Sequence, residues 1–203
     1  MKRIVFLTVL IIMVIASPLL AEQKLNKEDL ILIANLTKEQ SKDVRNLTLA
    51  IVKLQPKHTP LVANLIATRT FIECSKKGLD PELMIGLMFQ ESSLKPLQES
   101  KKGALGLMQV RYSVWKEEPE LKDNGISARD HLFWINENIK AGTDIFKKYY
   151  EESGRNIGMT LYRYNTGSKK LPVKTKITDV EYVVKILYHF CRVRQVIIEE
   201  GEK

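Results

Sequence analysis

Residues 80–109 read DPELMIGLMFQESSLKPLQESKKGALGLMQ, a helix followed by the loop it feeds. Asp80 suits the N-cap, Pro81 the first helical position, where a missing N–H costs nothing, and Glu82 the positive end of the first turn. Met84, Leu87 and Met88 then form one apolar stripe, and Glu91 continues it, seven residues after Met84 and three after Met88. A carboxylate on a buried face is costly unless it is paired or protonated. Glu91 also falls in the last turn, where the negative end of the helix dipole disfavours a second negative charge. Both effects raise a Glu pKa, the condition under which a carboxylic acid stays protonated near neutral pH and serves as a general acid. The opposing reading is a solvated Glu at a frayed helix end, and this helix alone favours it. Past the helix, Gly103 and Gly106 stand three apart among small and apolar neighbours, which suits a tight backbone turn near the carboxylate.

Outward from this stretch the chain reads as helices. Leu61 to Lys76 forms one, stopped at Gly78. Upstream, Ile33, Leu36, Val44, Leu47, Ile51 and Leu54 recur at threes and fours, with Gln40 filling one slot. That spacing predicts an amphipathic helix over residues 25–54, or two joined near Thr37, capped by Asn26 and ended by Gln55-Pro56. Downstream, helices are expected from Asp130 to Tyr150, Ile157 to Tyr164 and Asp179 to Ile198. Period-two alternation is missing, so strands should be short and confined to the segment from Gly103 to Val110. The expected class is mostly α.

Composition bounds the function. A chain of 203 residues, 44% hydrophobic and 28% charged, is enough for one domain with a real core. Lys2-Arg3, the uncharged run Ile4 to Ile15, the break at Ser17-Pro18 and small Ala21 have the three-part layout of a secretory signal peptide over residues 1–21. Leu19 is large for the position three before a cut, so an uncleaved membrane anchor through residues 4–16 is the alternative. Losing Lys2 and Arg3 takes the formal charge from +8 to +6. A basic exported chain suits an anionic polymer, while export argues against nucleic acid. Scattered Lys residues among Glu and Asp equally suit an ordinary solvated surface. Cys74 and Cys191 either pair in an oxidising compartment or remain free in apolar helices. His58, His131 and His189 are isolated, and no metal-binding spacing occurs.

The loop motifs carry a family likeness. Glu91-Ser92, Ser100 nine residues after the Glu, and Gly103-Ala104-Leu105-Gly106-Leu107-Met108-Gln109 resemble the soluble lytic transglycosylase (SLT) domain of peptidoglycan-cleaving enzymes. That family's pattern is Glu-Ser, a Ser at the same distance, then Gly-Ala-x-Gly-Leu-Met-Gln. The resemblance extends over residues 59 to 190: Asn138-Ile139-Lys140-Ala141-Gly142, Tyr164-Asn165-Thr166-Gly167 and Tyr182-Val183 match its later motifs. Gly142 in this reading allows close helix packing. Three positions depart from the pattern. Val110-Arg111-Tyr112 stands where the family has an apolar residue, Met and Pro. Arg163 replaces a small residue, and Thr178-Asp179 replaces Glu-Thr. Arg111 and Arg163 are expected to add positive charge beside a glycan cleft.

The resemblance implies a lysozyme-like helical domain over residues 58–203, with an additional N-terminal helical segment over 22–57. It implies an exported peptidoglycan lytic transglycosylase, in the periplasm or cell envelope, that cleaves the bond between N-acetylmuramic acid and N-acetylglucosamine without water, forming 1,6-anhydromuramic acid. Glu91 would be the single catalytic acid/base, with no metal and no cofactor. Ser100, Met108, Gln109, Tyr164, Asn165 and Tyr182 would bind substrate, Met108 as floor, Tyr164 and Tyr182 orienting Glu91 or stacking on sugar. For each the alternative is a satisfied polar or apolar group that holds loop geometry. Trp115 and Trp134 are sugar platforms or core, core being the default. Glu99 is the nearby second acid in sequence, in a Lys-rich loop. Two rivals stay open: a lysozyme-like hydrolase, and an inactive glycan-binding scaffold. Residues 25–55 are a candidate surface for a secretion or envelope-assembly partner.

Overall fold

A computed structural model of the chain describes residues 36–167 and 177–201. The expected leader over residues 1–21, the Asn26 cap and residues 22–35 of the N-terminal segment lie outside the described residues.

Thr37 opens helix α1 (Lys38–Leu54) with a capping box: its hydroxyl accepts from the Gln40 N–H while the Gln40 side chain accepts from the Thr37 N–H. The junction expected near Thr37 is therefore a helix start, and Gln55 is the C-cap. Helix α2 (Pro60–Lys77) is capped by Thr59 and ends on Gly78 in the left-handed conformation, as its sequence predicts. Helix α3 (Pro81–Ser92) follows, and the Asp80 carboxylate accepts from the N–H groups of Glu82 and Leu83 at 2.8 and 3.2 Å.

The loop beyond α3 contains one antiparallel hairpin, β1 (Ala104–Leu105) against β2 (Val110–Arg111), with Leu105 opposite Val110. Strands are as short as expected and lie where expected. Two four-residue helices follow, α4 (Tyr112–Trp115) and α5 (Pro119–Lys122), too short for any periodic signal in sequence. The helix expected from Asp130 begins instead as a 3₁₀ turn over Arg129–Phe133. Trp134 is extended (φ −80°, ψ 133°), its ring stacked on His131 at 4.4 Å, and α6 (Ile135–Glu152) starts after it. Helices α7 (Ile157–Thr166) and α8 (Ile177–Gly201) complete the described residues.

Helix α8 packs along α3 and also against α1 and α7, while α2 packs on α1 and α6. The α3–α8 crossing is close because residue 86 is glycine: a Cβ there would meet the Phe190 backbone N at 2.8 Å. Val44, Leu47, Ala50 and Ile51 bury the inner face of α1. Residues 38–54, read from sequence as part of a separate N-terminal segment, thus share one compact unit with the residues after 58. Cys74 and Cys191 are both free thiols, the first buried on α2 and the second exposed on α8. No helix among the described residues is long and apolar enough to cross a membrane.

Candidate active site

Glu91 sits in the last turn of α3, and the apolar stripe it continues is fully buried: Met84, Leu87 and Met88 have no exposed surface. Glu91 itself is half-buried. Burial pushes its carboxyl up from 4.5 to about 7, against a smaller opposing effect from the hydroxyl of Tyr182, which donates to Glu91 Oε1. No other acid or base among the described residues contributes to that shift. Tyr182 stands near the start of α8, so the α3–α8 crossing brings acid and hydroxyl together.

The Gly-rich loop is held under Glu91 by buried polar groups. The Ser92 hydroxyl lies within hydrogen-bond distance of the Met88 and Leu107 carbonyls, at 3.0 and 2.8 Å, tying the helix end to the loop. Asn138 on α6 is 1% exposed and fully engaged. Its Nδ2 donates to the Leu105 and Leu132 carbonyls at 2.8 and 2.7 Å, and its Oδ1 accepts from the Met108 N–H at 2.7 Å. Gly106, at φ +74°, leaves room for this amide: a Cβ would sit 2.2 Å from Asn138 Nδ2. Ser92 and Asn138 thus hold the loop in shape, roles beyond the motif matches that their sequence shows. A signal for Asn138 was present, since it is the polar member of the otherwise apolar set Ile135, Asn138, Ile139, Gly142 at helical spacing.

The expected substrate-binding residues divide. Tyr164 on α7 donates to the Met108 carbonyl at 2.9 Å, and burial, with a smaller contribution from the charge of Glu91, holds its phenol well above the usual range. Tyr182 is shifted the same way, so both remain hydroxyl donors. Gln109 adopts φ +51° and spends its amide N–H groups on the Gly106 and Gln98 carbonyls at 3.0 and 3.2 Å, leaving Oε1 to accept. Ser100 Oγ accepts from the Ala104 N–H at 3.0 Å and so closes the turn that enters β1. Asn165 is exposed. Met108 corrects the expectation: its side chain is sealed from solvent, and a Cβ at Gly142 would lie 2.4 Å from its Sδ. It supports the floor from beneath, and α6 approaches it closely through Gly142.

A groove of about 110 Å³ runs beside this site, lined by Gln109, Arg111, Trp115, Tyr149, Tyr164 and Asn165 among others. Glu91 is not in its wall; Tyr164 connects the two, lining the groove and feeling the charge of Glu91. Arg111 is exposed there, with no ion pair among the described residues. Arg163 does not add charge to the cleft as expected, because it is buried (9% exposed) and bonded to Glu152 at 3.1 Å. Trp115 lies half-buried at the groove, edge-on to Tyr149 at 5.9 Å, whereas Trp134 stacks on His131. Glu99 is exposed and ion-paired with Arg129.

The site thus holds one carboxyl poised near neutrality and bonded by a phenol, beside a glycine-tight loop. The family model described as the Transglycosylase SLT domain matches residues 70–180, more than half of the chain. The chain belongs to that family. The chain is similar to membrane-bound lytic murein transglycosylase C of Yersinia pestis (strain Pestoides F), 29% identical over 114 residues, which are 55% of this chain and 32% of that protein. The same figures hold for the protein of that name from Yersinia pseudotuberculosis serotype O:1b. The chain thus spans about a third of the length of these relatives. No solved structure matches it significantly. Within this SLT domain, Glu91, Ser100, Gln109, Tyr164 and Asn165 all fall inside the matched residues, and Tyr182 stands two residues beyond them.

Proposed function

We propose that this protein is a peptidoglycan lytic transglycosylase with Glu91 as its only catalytic acid/base. The observation that carries the reading is a half-buried carboxyl raised to about 7, whose one bonded partner among the described residues is the Tyr182 hydroxyl. A carboxyl of that pKa is protonated often enough at neutral pH to donate, and basic enough afterwards to accept.

Protonated Glu91 donates to the glycosidic oxygen between N-acetylmuramic acid and N-acetylglucosamine, and the C1–O bond breaks. Positive charge at C1 is supported by the substrate's own acetamido group. Glu91, now a carboxylate, takes the proton of the C6 hydroxyl, whose oxygen bonds to C1 and closes the 1,6-anhydro ring. Atoms balance without water, and the reaction needs neither a second carboxylate nor a cofactor. The only neighbouring acid in sequence, Glu99, is committed to Arg129 at the surface. Tyr182 fixes the Glu91 oxygen, and Tyr164 with Gln109 supports the loop and offers Gln109 Oε1 to a sugar N–H or hydroxyl. Asn165, exposed at the groove, would contact an acetamido group in this reading, and the Ser100 hydroxyl keeps its proton to donate. The exposed Arg111 suits the carboxylates of stem peptides carried by the muramic acid.

Glycan strands are the substrate in this reading, and the exported setting expected from residues 1–21 fits it, with release or anchoring through residues 4–16 both compatible. Residues 25–55 remain a proposed surface for a secretion or envelope-assembly partner, within α1 through the face opposite the buried Val44, Leu47, Ala50 and Ile51. The deciding experiment is mass spectrometry of muropeptides released from purified sacculi by wild type and by Glu91→Gln. Anhydromuropeptides from wild type and none from the variant are expected. Fragments carrying an added water would mean a hydrolase, and binding without release would mean a scaffold.

A further inference from the structure

Directly behind Glu91 the backbone takes an uncommon path. Ser93 and Leu94 both have positive φ, 53° and 60°, two successive left-handed residues of which neither is glycine. Such a conformation costs on the order of 1–2 kcal/mol per L-residue and persists only where surrounding structure enforces it. Leu94 has its side chain fully buried, while its N–H bonds the Met88 carbonyl at 3.2 Å and the Ser93 N–H bonds Phe89 O at 2.9 Å. These bonds end the helix that carries Glu91.

The carbonyls of the same two residues are taken up from another element. Gln55 Nε2 donates to the Ser93 carbonyl at 2.8 Å, and His58 Nε2 lies 2.6 Å from the Leu94 carbonyl. A carbonyl can only accept, so His58 Nε2 carries a proton, whether the ring is neutral or charged. The donors themselves are held in a small turn at the α1–α2 junction: Gln55 is the α1 C-cap and its carbonyl accepts from the His58 N–H at 3.1 Å. Both precede residue 70, where the family match begins.

We infer that Gln55 and His58 are positioning residues for Glu91, clamping the strained Ser93–Leu94 turn so that the last turn of α3 keeps the carboxyl at its half-dry place beside Tyr182. The inference rests on the reading of Glu91 as acid/base, but its own test does not require turnover. Without the two donors, the Ser93 and Leu94 carbonyls lose their fixed directions. The turn then relaxes toward ordinary backbone, the helix end frays, and Glu91 gains water. The motif residues of the catalytic loop would all remain in place.

The test is an NMR titration of the Glu91 carboxyl in the full chain, comparing wild type with Gln55→Ala, His58→Ala and the double variant, each checked by near-UV circular dichroism. The expected result is a Glu91 acid dissociation constant raised on the order of tenfold in the double variant, since restored solvation removes the cause of its elevated pKa. His58→Gln, which keeps an amide donor near Nε2, should return it toward the native value. In turnover, kcat should fall in the alanine variants with KM nearly unchanged. Native titration of Glu91 in the double variant would overturn the inference, as would collapse of the fold in every variant, which would make the role global. A wild type that releases no anhydro product, yet whose Glu91 titration responds to these substitutions, would overturn the proposed function and leave the clamp standing.

Discussion

Glu91 is neutral over much of the range in which an ordinary Glu is charged, and that has a thermodynamic consequence. Its pKa is about 7 when folded against an ordinary 4.5, so between those values the folded chain holds more protons than the unfolded chain. Stability therefore falls as pH rises through that window, and above it the ionised Glu91 costs up to about 3 kcal/mol. Glu91→Gln removes the titration. Urea denaturation should find it more stable than wild type by up to about 3 kcal/mol at roughly pH 8, with the difference vanishing near pH 4. Activity should have the matching limb: kcat/KM of wild type declines as pH rises through about 7, because the acid form is the one that donates. Tyr182 lowers the Glu91 pKa by donating to the charged form. Tyr182→Phe should thus move that limb to higher pH while reducing kcat, a pair of changes that simple loss of packing would not produce. Comparing pH–rate profiles of the two enzymes checks this.

At the scale of elements, the glycine-rich loop is shaped by what α6 pushes into it. Asn138 satisfies two carbonyls and one N–H of the loop and the preceding 3₁₀ turn, and Gly106 gives it space. Gly106→Ala should destabilise the chain by about 3 kcal/mol or more, since a Cβ would overlap both Asn138 Nδ2 and the Leu132 carbonyl at a left-handed φ. Thermal unfolding would measure it. Asn138→Leu should do comparable damage by leaving three buried backbone groups without partners, on the order of 1–3 kcal/mol each. The hairpin alone could not fix this geometry; it has two residues per strand.

Across the whole molecule, α1 is part of the structure that supports the site although it precedes the family match. Its Val44, Leu47, Ala50 and Ile51 are buried, and the three larger side chains each stabilise by about 1.5–3 kcal/mol. That sum is comparable to the whole stability of an ordinary domain. A chain beginning at residue 58 should therefore fail to fold cooperatively, to be tested by calorimetry. At the other end of the site, Arg111 lines the groove that Tyr164 joins to Glu91. Arg111→Ala should raise KM on strands bearing stem peptides several-fold, with little change on strands stripped of peptide, measured on matched substrates.

Helix identities and the caps at Asp80 and Gly78 were legible in the sequence because they depend on neighbours within a few residues: Asp80-Pro81 starts α3 and Gly78 stops α2, while the spacing of Glu91 puts a carboxyl on an apolar stripe and its proposed role as the acid came from the loop motifs that follow. The loop motif announced its own tightness through Gly103 and Gly106. Other facts depend on which distant groups meet, and only the packed chain decides those. Met108 is covered because α6 approaches through Gly142, Arg163 is buried against Glu152, and the expected helix start is a 3₁₀ turn that ends on an extended Trp134. The elevated pKa of Glu91 belongs to both levels: spacing places a carboxyl on the apolar face, and the crossing of α3 with α8 dries it and sets Tyr182 against it. Local sequence determines what a segment can form, whereas desolvation and hydrogen-bond partners arise between segments far apart in the chain.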